Sequence, residues 1–133
     1  MGNSTAISSR GIFINNIFSE NTQDIVFTGA SKVYNNYIDY TKINEGSHNV
    51  IKKNNLQLSD GDIALADDNV SLMANSVAIN KGLNPSSATY KTIIGNDAIY
   101  NQMIELLKTD MVGNKRIHND TIDMGAVEFG SSK

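Results

Sequence analysis

Apolar and polar residues alternate in three short runs in the first half of the chain. The runs are IFINNIFSE at 12–20, KVYNNYIDY at 32–40 and VIKKNNLQL at 50–58, and each encloses an Asn-Asn pair. Alternation with a period of two residues is the pattern of a half-buried β-strand. Asparagine favours the turns between such strands, because it tolerates left-handed backbone and bonds to its own main chain. The first half therefore predicts short strands separated by asparagine turns.

The asparagine pairs recur at a nearly constant spacing of 20 and then 19 residues. A strand repeat of this length is typical of coils that stack in parallel, about 4.8 Å apart, so that asparagines lie over one another. We therefore predict a mainly β fold, a short right-handed parallel β-helix of about three rungs. Three separate hairpins with asparagine turns are the alternative interpretation. The predicted stack consists of Asn15, Asn16, Asn35, Asn36, Asn54 and Asn55.

The second half predicts one α-helix and a capping region. The segment GNDAIYNQMIELLKTD repeats apolar residues at helical spacing, and either Asn96 or Asp97 can cap its first turn. We expect this helix near 97–108, inserted into a C-terminal cap. The expected organisation is a single β-helix domain over 1–133, with rungs over 1–74 and the capping region with its helix over 75–133.

Composition excludes several classes of partner and site. Eleven basic residues against fourteen acidic ones give a net charge of −3, which does not favour nucleic acid. The chain has no cysteine, so disulfides, thiolate zinc sites and cysteine nucleophiles are excluded. No apolar run approaches the roughly 20 residues of a membrane helix, and MGNSTAISSR lacks the regions of a signal peptide. We expect no nucleic-acid partner, no membrane span and no cofactor.

Three blocks near the C-terminus form an ordered pattern. They are NSVAINKG at 75–82, DMVGNKR at 110–116 and IDMGAVE at 122–128. The pattern resembles the S-P-A-I-D-x-G, D-x-x-G-x-x-R and I-D-I-G-A-Y-E blocks that close choice-of-anchor Q, or polymorphic-membrane-protein-like, right-handed β-helices of bacterial surfaces. The chain departs from it at Val77 and Asn80, and by an apparent insertion from about 88 to 109.

The resemblance implies that the last two blocks are a structural cap, whereas a catalytic loop is the alternative. It implies that Arg116 pairs with Glu128 or Asp123, and that Gly113 and Gly125 supply positive φ or close backbone approach. An extracellular or cell-surface location is implied as well, although the chain shows no signal peptide. The expected cap residues are Asp110, Gly113, Arg116, Asp123, Gly125 and Glu128.

Two further groups of residues are candidates for ligand binding. The acidic run DGDIALADD loosely resembles a calcium loop but lacks the regular spacing and the final Glu of an EF-hand, so a solvated turn is the favoured interpretation. Aromatic rings on a strand can stack on sugars, although such residues are more often core. The calcium candidates are Asp60, Asp62, Asp67 and Asp68, and the sugar-contact candidates are Tyr34, Tyr37 and Tyr40. No residue is predicted to be catalytic.

The favoured function is a non-enzymatic scaffold, or an interaction or adhesin-like module, including a truncated or mobile derivative of a bacterial surface protein. The alternative is a carbohydrate-binding or polysaccharide-cleaving β-helix protein. A stack whose first rung lies close to the N-terminus has an uncovered end, and exposed strand edges invite pairing. We therefore predict a homo-oligomer through that end or through the helix. The other explanation is that the chain is the C-terminal piece of a longer protein.

Overall fold

Six short strands precede two helices in the computed structural model, which describes residues 4–130. A 3-10 turn follows the fourth strand at Tyr40–Lys42, and another follows the sixth at Leu58–Asp60. The strands are β1 (Ile7–Ser9), β2 (Ile12–Ile14), β3 (Ile25–Phe27), β4 (Ser31–Tyr34), β5 (Ile43–Asn44) and β6 (Val50–Lys53). The helices are α1 (Ala88–Ile94) and α2 (Asp97–Leu106).

The strands form two parallel sheets of three strands each, in the orders β1-β3-β5 and β2-β4-β6. Paired residues lie 18 to 20 positions apart in the chain, so each successive layer repeats the course of the one before. In the second sheet, Phe13 pairs with Val33 and Val33 with Lys52. The spacing of the asparagine pairs is therefore the spacing of the parallel layers.

The middle layer supplies the most deeply buried residues. Ile25, Val33 and Ile38 are fully buried, and the ring of Phe27 meets that of Phe13 edge-on at a centroid distance of 6.0 Å. Each such side chain contributes about 1.5–3 kcal/mol when it is fully removed from water. The first layer lies beside this core and is only partly buried at Phe13. The strands thus pack as a stack with a closed centre and an accessible first layer.

The prediction of a right-handed parallel β-helix of about three rungs is wrong. The strands form two small sheets of three, and the third side of each layer contributes only single bridges, from Ile17 to Tyr37 and from Tyr37 to Leu56. The sheets therefore do not close around the core. Residues from the second half fill the remaining side instead, since Ala78 and Met124 pack in one cluster with Tyr37.

The prediction of a single inserted helix is wrong as well, because α1 precedes α2. α2 covers most of the segment expected at 97–108, and the side chain of Asn96 caps it by accepting the N–H of Ile99. α1 begins after Ser87, whose side chain accepts the N–H of Tyr90, and ends at Gly95 with a φ of 71°. Its seven residues bury only Tyr90 and Ile93, which is too short a pattern to stand out in the sequence.

The expected boundary between 74 and 75 crosses a packed region. Leu72 and Ala78, on either side of it, belong to the same buried cluster. The outer limits of the expected domain, 1 and 133, lie outside the described residues.

Candidate functional site

The second asparagine of each pair forms a ladder across the layers. Asn36 Oδ1 accepts hydrogen bonds from the backbone N–H and the Nδ2 of Asn16, at 2.8 Å and 3.0 Å. Asn55 Oδ1 accepts the same two groups of Asn36, at 2.9 Å and 3.2 Å. Asn36 is fully buried, and its Nδ2 also donates to the carbonyl of Phe13. The ladder therefore has a direction, with each side chain accepting from the layer before it.

The first asparagine of each pair lies outside the ladder and forms the turn at the end of its strand. Asn15, Asn35 and Asn54 adopt positive φ values of 62°, 54° and 55°, which turn the chain out of the sheet. Asn15 also bonds reciprocally with Leu83, donating Nδ2 to its carbonyl and accepting its N–H at Oδ1. Asn35 Nδ2 donates to the carbonyl of Lys81. The side chains of Asn15 and Asn35 therefore attach the second half of the protein to the sheets.

The ladder is closed at its Asn55 end. Asn55 Nδ2 donates to the hydroxyl of Tyr40 at 2.9 Å. Lys52 occupies the same inward column as Phe13 and Val33, and its Nζ lies 2.8 Å from Glu45 Oε2 and 5.3 Å from the centre of the Tyr40 ring. An inward-pointing charge on an edge strand prevents a further strand from adding. The β6 end therefore terminates the stack.

The β2 end is open. Lys32 N–H donates to the Gly11 carbonyl and Asn15 N–H to the Tyr34 carbonyl, so these residues direct their groups at β4. Because bonding groups alternate along a parallel strand, Ile12 and Ile14 direct theirs away from it. Asn16 Oδ1 accepts no hydrogen bond from any residue in 4–130. The sequence ISSRGIFI (7–14) carries only one charge, at Arg10.

An open groove of about 600 Å³ borders this edge. Its walls combine apolar side chains with four asparagines and a single charged side chain, Arg116. The lining residues include Ile7, Ile14, Asn16, Ile17, Phe18 and Leu107. Gly125 closes one end, where its N–H donates to the Asn15 carbonyl and an added Cβ would lie 2.7 Å from Ile17 Cδ1. The groove combines apolar side chains with the outward-facing N–H of Ile14.

Next to the groove, the four charged residues of the expected cap, Asp110, Arg116, Asp123 and Glu128, form a buried cluster. Arg116 Nε lies 3.4 Å from Glu128 Oε1, and its Nη2 donates to the Gly125 carbonyl at 2.6 Å. Of the two partners expected for Arg116, the ion pair is therefore with Glu128. Asp123 instead accepts the N–H groups of Asn80 and Phe129. The carboxylates of this cluster are acceptors for the backbone.

Asp110 and Gly113 shape the turn of the second block. Asp110 Oδ1 accepts the N–H groups of Val112 and Asn114, and its Oδ2 accepts that of Glu128. Burial alone would raise the pKa of Asp110, but these N–H donors outweigh it and hold the pKa below its ordinary value. Gly113 has a φ of 88° and Gly125 one of 98°. Both glycines therefore have the left-handed backbone that the resemblance implies.

Glu128 is a buried carboxyl group whose pKa differs from its ordinary value. Burial raises its pKa to about 7, and the charges of Asp123 and Asp110 act in the same direction. The Asp123 N–H and the Arg116 guanidinium act in the opposite direction without compensating. Both oxygens of Glu128 already face the Asp123 N–H, at 3.1 Å and 2.9 Å. Burial therefore outweighs these favourable contacts, and the pKa of Glu128 lies near neutrality.

The three tyrosines proposed as sugar contacts do not form one platform. Tyr37 is buried among Ile63 and Met124. Tyr40 packs on the core and takes part in the closure of the ladder. Tyr34 occupies the neighbouring column to Val33, with Ile14 and Lys53, and so lies on the other face of its strand.

Three of the four acidic residues proposed for calcium, Asp60, Asp62 and Asp68, are engaged in local turns. Asp60 accepts the N–H of Gln57, and Asp62 accepts that of Ala64. Asp68 accepts the N–H groups of Val70 and Ser71 and the Ser71 hydroxyl, and these bonds lower its pKa. Within residues 4–130, no three His, Asp or Glu side chains come together to hold a metal ion.

Sequence reasoning missed the pair that closes the stack. Lys52 shares its strand parity with Val50, so the alternation of VIKK already indicated that this lysine points inward. Its ion pair with Glu45 was not visible in the sequence, because the two residues meet through the turn between β5 and β6.

Comparison of the chain with protein-family models, with curated proteins and with solved structures finds no match. Neither α1 nor α2 has the length and apolar character that crossing a membrane requires, and the rest of the described chain contains no further helix that does.

Proposed function

We propose that this chain is a non-enzymatic interaction module that binds an extended polypeptide segment at the open edge of β2. The observation that carries the proposal is the asymmetry of the stack. Lys52 closes the β6 end, whereas Ile12 and Ile14 direct backbone groups away from β4, and within residues 4–130 the N–H of Ile14 has no acceptor beside the groove. Strand addition uses such groups for affinity and the adjoining groove for side chains.

The buried cap cluster supports a non-enzymatic role. Asp110, Asp123 and Glu128 all accept backbone N–H groups within the protein itself. General acid–base catalysis needs a carboxylate within reach of a substrate proton. In the part of the chain described here, these three carboxylates are buried and occupied. Their role is to hold the closing turns together.

Selection from a library of extended eight-residue peptides tests the proposal. Peptides selected on the wild-type protein are expected to lose binding to Ile14→Pro, which removes a free edge N–H but no bond to β4. They are expected to keep binding to the matched control Ile14→Val, which retains that N–H. The proposal fails if no peptide is selected, or if the selected peptides bind the Pro variant as well as the wild type.

A further inference from the structure

We propose that the segment added to β2 is a parallel strand with an asparagine in register with Asn16, so that the ladder continues into the partner. This inference rests on the proposed function, because it specifies the chemistry of the partner at the same edge. It begins from the direction of the ladder. Asn36 Oδ1 and Asn55 Oδ1 each accept two donors from the preceding layer, the N–H and the Nδ2 of one asparagine.

Asn16 Oδ1 is the equivalent acceptor of the first layer, and no residue of 4–130 donates to it. An asparagine one layer below would supply both missing donors in the geometry that the chain uses twice. By the same pattern, the partner's Nδ2 would also donate to the carbonyl two positions earlier in the partner's own strand. Asn36 Nδ2 donates to the Tyr34 carbonyl two positions earlier in its own layer, and Asn16 Nδ2 to that of Ile14.

The pairing must be parallel for the ladder to continue. All four strand pairs in the two sheets are parallel, with asparagines of successive layers 19 or 20 residues apart. An antiparallel strand would run against this register, so only isolated side chains could meet. Parallel addition repeats the existing hydrogen bonds at every position.

The register also specifies an apolar residue in the partner. Phe13 and Val33 lie three positions before the ladder residues Asn16 and Asn36, and both belong to the apolar core of the sheets. Phe13 is only partly buried and is the last member of this inward column at the open end. A partner residue three positions before its asparagine would cover Phe13. The partner sequence is therefore apolar-x-x-Asn in an extended segment.

A second copy stacked through its β6 end does not satisfy this requirement. Its Lys52 would then lie over Phe13, at the position where an apolar side chain is needed. Burial would remove from water a charge that now pairs with Glu45 at the protein surface. The cost of burying an ion pair generally offsets its attraction. The favoured occupant is a segment of another polypeptide.

A peptide with the chain's own second-layer sequence, SKVYNNYIDY (31–40), tests the inference as a probe with both ends blocked. It carries Val33 and Asn36 at the two specified positions. Binding to the full chain is measured by NMR titration for four combinations, with and without Asn36→Ala in the peptide and Asn16→Ala in the protein. Asn16 lies at the exposed end of the ladder, and the spectrum of its variant reports directly whether the fold is retained.

We expect Asn36→Ala in the peptide to weaken binding to the wild-type protein about tenfold, since the Nδ2 donor to Asn16 Oδ1 is lost while the backbone N–H remains. Toward Asn16→Ala the same change is expected to have no further effect, because the acceptor is already gone. A nitroxide at the peptide N-terminus should broaden the amide signals near Gly11. Broadening near Ile17 instead would identify antiparallel addition and overturn the inference.

The remaining outcomes separate this inference from the proposed function. If the peptide binds and Ile14→Pro abolishes binding, but the two asparagine changes act additively, the ladder inference fails and the proposed function stands. If neither this peptide nor any library peptide binds, both fail. If light scattering shows a dimer that Ile14→Pro dissociates and that the peptide cannot disrupt, a second copy occupies the edge and the inference is overturned.

Discussion

Asn36 Oδ1 accepts both the backbone N–H and the side-chain Nδ2 of Asn16, at 2.8 Å and 3.0 Å. One amide therefore holds the turns of two successive layers in register. The same arrangement between Asn36 and Asn55 places a fully buried amide at the centre of the stack. A buried polar group of this kind stabilises the fold only while all of its partners remain.

Replacing Asn36 by Ala is expected to lower the free energy of unfolding by about 3 kcal/mol. The change leaves the Asn16 N–H without its acceptor and removes the side-chain donors to the Phe13 carbonyl and to Asn55 Oδ1. Asn16→Ala is the matched control, because it truncates the exposed end of the same ladder and is expected to cost less than about 1 kcal/mol. Urea unfolding measures both. Equal losses would contradict a central role for Asn36.

Replacing Gly82 by Ala is expected to cost about 2–3 kcal/mol, because the backbone there is tightly enclosed. An added Cβ would lie 2.8 Å from the Asp123 carbonyl oxygen and 3.0 Å from that of Ile122. Gly29→Ala is the control, since its Cβ would meet only the mobile side chain of Arg10, at 2.7 Å. Thermal unfolding compares the two. A Gly82 variant as stable as the Gly29 variant would refute the close approach.

Because the pKa of Glu128 is raised, the free energy of unfolding is expected to fall as the pH rises from about 4.5 to about 7. Its pKa is raised from 4.5 to about 7, so the folded state binds more protons than the unfolded state between these values. The loss is at most about 3 kcal/mol and is complete above the upper value. Glu128→Gln imitates the neutral carboxyl and should remove this dependence.

Urea unfolding of the wild type and Glu128→Gln at a series of pH values measures the difference. Glu105→Gln is the control, because its carboxylate is exposed and pairs only with Lys108 in the neighbouring turn. Its pH profile should follow that of the wild type. Parallel profiles for all three proteins would show that Glu128 titrates normally.

Replacing Lys52 by Ile is expected to make the β6 end as apolar as the β2 end and to cause association. The inward charge and its contact with Glu45 are what prevent strand addition there. Lys53→Ile is the matched control, because Lys53 lies in the neighbouring column with Ile14 and Tyr34. Its state of association should equal that of the wild type. Sedimentation velocity over a range of concentrations distinguishes the two. Equal association of both variants would attribute the effect to hydrophobicity alone.

The repeat of Asn-Asn pairs favoured stacked strands over separate hairpins, because a spacing of 19 or 20 residues returns the chain to the same turn in each layer, but the closed β-helix inferred from it was wrong. It also identified Asn16, Asn36 and Asn55 as equivalent positions. The helix near 97–108 was visible because α2 has a regular apolar spacing and an asparagine cap. These features depend on local chemistry and periodicity.

The closing motif led to residues that lie together, since Arg116 and Glu128 form a buried ion pair. The resemblance that suggested this pair also suggested a closed β-helix, which the structure does not have. The motif predicted the local contacts but not the fold, because a short motif specifies a local turn, whereas closure of the sheets depends on which residues fill the third side of each layer. That side is filled by Ala78 and Met124, which are far from β1–β6 in the chain.

The sequence by itself determined the strand repeat and the recurring asparagine turns, because both follow from residues that repeat at fixed intervals. Only the tertiary structure decided which end of the stack is closed. That difference depends on the contact of Lys52 with Glu45, which meet through the turn between β5 and β6 and have no counterpart in the first layer. Periodicity describes what each layer shares, and the packing of unlike segments decides where the layers end.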